Sequence, residues 1–318
     1  MKSDKKNSFN EKSAYTITTE HFDHSMILKE LEVAASNCTP VILYGPPGTG
    51  KTRFLGLFAD VLTKQSKLGK LETVQFHKKF SYEDFIEGFS PSEKGFIKKD
   101  GVFKGFCSTP SKSPLIDVFV IDEINRADLA TTFGETLFAI EDRAKRSVKT
   151  SHFGDNFSIP ENTMIIGTMN TADRNISQVD FAIRRRFKFI PVFPDTSALK
   201  EWISKLGLEN ENFSIDEYCL FFEKINQRIR NNPLLGAHMQ LGQSLFVPIN
   251  SAGPVPVQIL TANFSEVIVP QLEAYFGFGN KRELSSLLNP QISESYLRNR
   301  RLGIEEFSAF VRETANEK

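Results

Sequence analysis

The sequence predicts an α/β protein: a parallel sheet flanked by helices, interrupted by two hairpin insertions and followed by a mostly helical domain. Three observations predict it. Between Val41 and Val192, short apolar or β-branched runs alternate with segments of helical periodicity, the pattern of strands joined by crossover helices. A glycine-rich octapeptide, Gly45-Pro46-Pro47-Gly48-Thr49-Gly50-Lys51-Thr52, stands directly between the first of these runs and a helix-patterned segment, where a phosphate-cradling loop has to sit. Past Pro191 and Pro194 the strand signals give way to helical ones, with Leu220-Phe221-Ile225 and the stretch from Val267 to Phe276 as the clearest segments.

Taken in order, residues 1–24 are rich in Lys, Ser, Asn and Thr and read as a flexible tail, too short to fold into a recognition domain, with an amphipathic helix after it. The strands of the α/β domain, 25–193, are expected at Val41–Tyr44, Thr73–Phe76, Val118–Ile121, Met164–Gly167 and Phe187–Val192. Phe54, Leu55, Phe58, Val61 and Leu62 recur at helical spacing behind the glycine-rich loop. The hairpins are expected at Phe96–Phe103, around Asp100-Gly101, and at Val148–Ile159, around Gly154-Asp155. A boundary near Phe193 opens a mostly helical lid domain, 194–318.

Composition narrows the function classes. The 318 residues, 40% hydrophobic and 25% charged, suit a globular chain with a sizeable core. Lys plus Arg, 39, equals Asp plus Glu, 39, so no global basic field advertises nucleic acid or an acidic membrane, and DNA contact requires a local patch or a partner. Cys38, Cys107 and Cys219 are far apart and form no C-x-x-C pair, which indicates neither a zinc site nor a disulfide framework and suits a cytoplasmic location. No apolar stretch approaches the roughly 20 residues of a membrane span. The 29 phenylalanines are spread along the whole chain and read as core packing.

The chemistry begins at the octapeptide. Gly48 and Gly50 let backbone N–H groups turn onto phosphate oxygens, Pro46 and Pro47 stiffen the entry, Lys51 neutralises the terminal phosphates and Thr52 is placed to ligate magnesium. Val118 to Ile121 is an apolar strand ending in Asp122-Glu123, a Walker-B arrangement in which Asp122 holds the magnesium shell and Glu123 polarises an attacking water. Another strand ends at Met169-Asn170, and Asn170 is suited to orient that water. Asp173-Arg174 and Arg184-Arg185-Arg186 follow, and this order favours an arginine supplied in trans to a neighbouring subunit, with a ring as the active species. His77 and His238 read as packing residues, and Glu83, Asp84 and Glu87 as a solvated helix face.

These motifs resemble those of the McrB family of AAA+ NTPases. Met169-Asn170-Thr171-Ala172-Asp173-Arg174 is similar to the family's M-N-x-x-D-R signature, and Asp180-Phe181-Ala182-Ile183-Arg184-Arg185-Arg186-Phe187 to its D-x-A-x-R-R-R-F. Gln75-Phe76-His77, Ser81 to Phe89 and Asp122-Glu123-Ile124-Asn125-Arg126 also match. Beyond Phe193 the likeness is patchier: Gly242-Gln243-Ser244-Leu245-Phe246 resembles a segment where the family usually has Gly-His-Ser, and Val269 to Phe276 resembles its lid helix. The resemblance implies a hexameric ring with nucleotide at the subunit interfaces, GTP as the preferred substrate, and hydrolysis stimulated by an McrC-type nuclease partner, with DNA engaged through the complex. The residues themselves leave GTP or ATP open. Asn125-Arg126-Ala127-Asp128 has Arg where a guanine-reading N-K-x-D has Lys, and it directly follows the Walker-B acids. Two rival readings keep the fold: an ATP-driven remodeller of protein complexes of the MoxR/dynein-related branch, and a nucleotide-stabilised scaffold with negligible hydrolysis.

Overall fold

The computed structural model describes residues 24–93, 95–141, 147–173, 179–209, 211–248, 253–277 and 279–317. The tail expected over 1–24 lies, except for its last residue, outside the described residues. The amphipathic helix expected after it is α1, His24–Ser36, and it leads into β1, Val41–Gly45. Then come α2, Lys51–Lys64, and β2, Leu68–Gln75. The short α3, Tyr82–Phe85, precedes a hairpin of β3, Glu87–Ser92, and β4, Gly95–Asp100, and α4 covers Val102–Cys107. β5, Ile116–Asp122, is followed by α5, Leu129–Phe133, and α6, Thr136–Glu141. A second hairpin pairs β6, Val148–Lys149, with β7, Asn156–Phe157. β8, Thr163–Asn170, α7, Phe181–Arg184, and β9, Lys188–Pro191, complete the α/β part.

The five long-range strands form one parallel sheet in the order β2-β5-β8-β1-β9. Strands buried on both faces need side chains that are apolar on both sides, and β5 and β8 supply them, Val118 to Ile121 and Met164 to Ile166 being buried throughout. Alternation assigns the faces. Val41, Leu43, Val118, Val120, Met164 and Ile166 pack under α1 and α2, against Leu31, Phe54, Phe58 and Leu62. Ile42, Phe119, Ile121 and Ile165 pack on the other side, in a phenylalanine-rich cluster. There Phe85 lies 4.8 Å from both Phe103 and Phe133, and Phe103 5.0 Å from Phe119.

The first hairpin corrects the expectation from sequence. Its strands run from Glu87 to Asp100 with the turn before Gly95, and Asp100-Gly101 lies at its end rather than its tip. Gly101 serves close approach instead: a Cβ there would stand 2.3 Å from the Phe85 carbonyl carbon. Glu87 is also not on a solvated face. Its carboxylate is fully buried, 2.6 Å from Lys104 Nζ, and accepts hydrogen bonds from the amides of His152 and Phe153 in the second hairpin. Burial pushes the Glu87 carboxyl up, but the bonds from Lys104, Thr150 and Phe153 outweigh it and hold the group below the ordinary carboxylate range. Lys104 also pairs with Asp100 and Asp155, so one ammonium joins both hairpins. Lys104→Met leaves Glu87 charged and buried without its cation, a change that costs about 3–5 kcal/mol. Thermal unfolding should show that loss, with much of it recovered when Glu87 is replaced by Gln in the same chain; a loss under about 1 kcal/mol would show that the pair does not hold the hairpins.

Beyond β9 the chain is mainly helical: α8, Thr196–Leu206, α9, Ile215–Asn231, α10, Val257–Asn263, α11, Val269–Phe276, α12, Lys281–Leu288, α13, Pro290–Asn299, and α14, Ile304–Ala315. A two-stranded pairing of β10, Leu208–Glu209, with β11, Val255–Pro256, is parallel. These helices share one apolar cluster built around Phe221, Phe222, Phe246, Phe264, Phe307 and Phe310. Among the described residues, no helix is long and apolar enough to cross a membrane. The sheet register decides where chemistry can occur. Gly45 pairs with Asn170 and Ile121 with Gly167, so β1, β5 and β8 end together and present Gly45, Asp122 and Asn170 on one edge. In open α/β sheets ligands bind outside that carboxyl edge.

Candidate functional site

The phosphate loop follows from backbone geometry. α2 starts at Lys51 behind Gly50, at φ 89°, with Gly48 at φ 77°, conformations that favour glycine. A helix N-terminus of this kind offers unpaired amides and partial positive charge to an anion. Lys51 is buried, its ammonium donating to the carbonyls of Gly45 at 3.0 Å and Pro46 at 2.7 Å. Burial draws the Lys51 ammonium down to about 8, against the opposing pull of the Glu123 and Asp122 carboxylates. Thr49 Oγ1 donates to the Pro46 carbonyl at 3.1 Å, and Thr52 lies exposed on the first turn of α2.

The two acids at the end of β5 are held by its neighbour β8. Thr168 Oγ1 donates to Asp122 Oδ1 at 2.5 Å and accepts from the Glu123 amide at 3.1 Å. Asn170 Nδ2 donates to Glu123 Oε1 at 2.5 Å, and Arg126 Nε lies 3.3 Å from Glu123 Oε2. Glu123 itself has left-handed backbone, φ 53° and ψ 45°. A non-glycine residue in that region costs about 1–3 kcal/mol and persists where its surroundings over-determine it. Asn125, buried, donates from Nδ2 to the Asn170 carbonyl at 3.2 Å, and the Thr171 amide donates to the Gly45 carbonyl at 3.0 Å. The acid, the asparagine and the loop are thereby joined in one hydrogen-bonded unit.

The structure therefore gathers Lys51, Asp122, Glu123 and Asn170. Asp173 joins them at one remove, its Oδ2 3.2 Å from Arg126 Nη2. Arg174 lies outside the described residues. Arg185 and Arg186 belong to a second cluster around Glu141, at 3.3 and 3.0 Å. Their settings differ: the Arg185 side chain is 65% exposed, whereas that of Arg186 is 6% exposed and donates to the Ala182 carbonyl at 2.8 Å. His238 packs between Tyr44 and Phe193, and His77 against Phe80.

Sequence reasoning missed one contributor and gave another no role. Thr168, a hydroxyl inside an otherwise apolar strand, left a readable signal. The other was legible only as a family-like segment with no role attached: Gly242, Gln243 and Ser244 of the helical part lie directly on the phosphate loop. The Gly242 amide donates to the Pro47 carbonyl at 2.9 Å, and the Ser244 amide and Oγ to the Gly48 carbonyl at 3.0 and 2.9 Å. Gln243 Nε2 donates to the Thr49 carbonyl at 2.9 Å.

Comparison with known proteins places this geometry. The family model described as an AAA domain of the dynein-related subfamily matches residues 40–187. The chain is 38% identical over 262 residues to the type IV methyl-directed restriction enzyme EcoKMcrB subunit of Escherichia coli (strain K12), a match covering 79% of this chain and 56% of that protein. It is 27% identical over 237 residues to the type II restriction enzyme BsuMI component YdiS of Bacillus subtilis (strain 168), covering 59% of this chain and 67% of that one. The chain thus spans little more than half the length of the Escherichia coli relative. The matched domain runs from the residue before β1 to the end of the arginine run and takes in all four residues gathered at the sheet edge. The chain belongs to the McrB family of AAA+ proteins.

Proposed function

We propose that this chain is a nucleoside triphosphatase, with GTP favoured over ATP, that works as a ring in an McrBC-like restriction or defence system. Hydrolysis would drive DNA translocation or activate an McrC-type nuclease subunit, and DNA would be engaged through that complex in the cytoplasm. The observation that carries the reading is the bond from Asn170 Nδ2 to Glu123 Oε1, 2.5 Å long, beside the phosphate loop. It fixes a carboxylate capable of accepting a proton from water, and an amide to orient that water, where a terminal phosphate would lie.

Residue roles follow. The loop from Gly45 to Thr52 would cradle the phosphates, with Lys51 as their counter-charge. Magnesium suits the donor set, because Thr52 and Asp122 offer hard oxygen ligands. When bound, that ion would neutralise charge on the phosphate oxygens. Asp173 would position Arg126, and through it Glu123. Arg185 is favoured as the residue acting in trans, because its exposure lets it reach a neighbour; Phe181, four residues earlier, is 88% exposed and suits a face that another copy covers. The helical part from 194 would act as a lid domain. The restriction role is supported by the likeness to the Escherichia coli restriction subunit, whereas GTP preference and the nuclease partner rest on the family resemblance of the motifs.

Hydrolysis of GTP and ATP by the purified chain, with and without the product of an adjacent nuclease-like gene, tests the reading. Magnesium-dependent turnover with GTP ahead of ATP, raised by the nuclease subunit, is the expected result. The dynein-related description of the matched family favours one second reading, an ATP-driven remodeller of protein complexes. ATP-only turnover with a co-purifying partner that is not a nuclease would support it. Negligible turnover of both nucleotides under all conditions would leave a nucleotide-stabilised scaffold.

A further inference from the structure

The phosphate loop is gripped from outside by a segment almost 200 positions further along the chain. Three successive carbonyls of the loop, those of Pro47, Gly48 and Thr49, each accept from Gly242, Ser244 or Gln243. In a trans peptide the C=O and N–H point in opposite directions. Holding those three carbonyls against the segment therefore turns the N–H groups of Gly48, Thr49 and Gly50 away from it, the arrangement an anion-binding nest requires. A free glycine-rich loop would have to order its backbone on binding, at a cost in conformational entropy. Here the order is already imposed.

The fit leaves little room for substitution. A Cβ on Gly242 would stand 1.9 Å from the Gly48 carbonyl carbon and 2.2 Å from the Thr49 nitrogen, so any side chain forces the segment off the loop. Gln243 is 1% exposed, and while its Nε2 donates to Thr49, its Oε1 accepts from the Asp195 amide at 3.3 Å. Asp195 caps α8, accepting from the Ser197 and Ala198 amides. One amide side chain thus connects the start of the helical part to the loop.

We propose that Gly242–Ser244 is a second jaw of the phosphate loop, with Gln243 as a positioning residue that fixes the direction of the loop's amides and couples it to the first turn of α8. This deepens the triphosphatase reading and rests on it. Movement of α8 would then alter phosphate affinity through Gln243 without any residue of the helical part touching the nucleotide's reacting atoms.

The test compares Gln243→Met, which keeps length and loses the donor, with Gln243→Glu, which sets an acceptor against the Thr49 carbonyl, and Gln243→His, which restores an N–H. Dissociation constants for a non-hydrolysable triphosphate, KM, kcat and the melting temperature of the nucleotide-free chain are measured for each. The proposal expects binding about tenfold weaker for Met, equivalent to about 1.4 kcal/mol, weaker still for Glu, and partly recovered for His, with kcat at saturation within about twofold of the parent. Ser244→Ala, which removes one of two bonds to Gly48, should weaken binding severalfold and serves if the Glu variant fails to fold. Unaltered triphosphate affinity in the Met and Ser244→Ala variants, or a loss of melting temperature alone, would overturn the jaw while the parent still binds. A parent chain that binds no triphosphate would overturn the site itself.

Discussion

Glu123→Gln is expected to lower turnover of nucleoside triphosphate by about 10²–10⁴-fold while leaving triphosphate binding and assembly intact. The substitution keeps the shape of the side chain and a carbonyl oxygen to accept from Asn170, so the left-handed turn at Glu123 and the contact with β8 have the same partners. What disappears is the carboxylate proposed to take a proton from water as the bond to phosphorus forms. That interaction exists in the transition state and not in the ground state, so kcat falls and affinity does not. Single-turnover hydrolysis with bound nucleotide measured separately checks it, and turnover equal to the parent's would remove Glu123 from the chemistry. Asn170→Ala should follow in the same direction with a smaller effect, since it loosens the carboxylate without deleting it.

Arg185→Ala is expected to cost about 10³–10⁵-fold in kcat, the range found for an arginine that stabilises phosphoryl-transfer charge from a neighbouring subunit. Triphosphate affinity should hold, because in the proposed ring the loop, Lys51 and the oxygens suited to magnesium would all come from the other side of the interface. The neighbouring Arg186→Ala is the internal contrast. Its guanidinium is 6% exposed, held by Glu141 and the Ala182 carbonyl, and its loss should lower the melting temperature more than it selectively lowers turnover. If Arg185→Ala retains parental kcat and Arg174→Ala does not, the trans-acting residue is Arg174.

Much of the site was legible in the sequence because its parts are local. A loop between strand and helix, two acids closing a strand and an asparagine closing another are each short motifs, and parallel pairing brings strand ends to one edge without further instruction. Four of the five strands and the second hairpin lie where apolar runs and turn residues put them, whereas β2 starts at Leu68, five residues before the expected Thr73, because its first half, half-buried at the sheet edge, sets Gly69 and Lys70 between leucines and forms no apolar run. The first hairpin shows how such reasoning fails: Asp100-Gly101 has the composition of a tight turn, yet Gly101 is there because the chain passes against the backbone at Phe85, a tertiary demand. Glu87 fails for a related reason, since helical spacing suggested a solvated face, and its burial is explained by Lys104 and by the second hairpin, 65 positions away. Gly242-Gln243-Ser244 was legible as a family-like segment, but the bond between Gln243 and Thr49 spans 194 positions, and nothing local places that segment on the loop.

The most direct measurement of the central claim, that one copy's loop and acids are completed by an arginine from the next, is hydrolysis by mixtures of two inactive variants, Lys51→Ala and Arg185→Ala. In a mixed ring some interfaces pair an intact Lys51, from the Arg185→Ala copy, with an intact Arg185, from the Lys51→Ala copy. Activity should therefore rise above both parents and peak near equal proportions. If no mixture exceeds either variant alone although mixed assemblies form, the shared site at the interface does not exist as described.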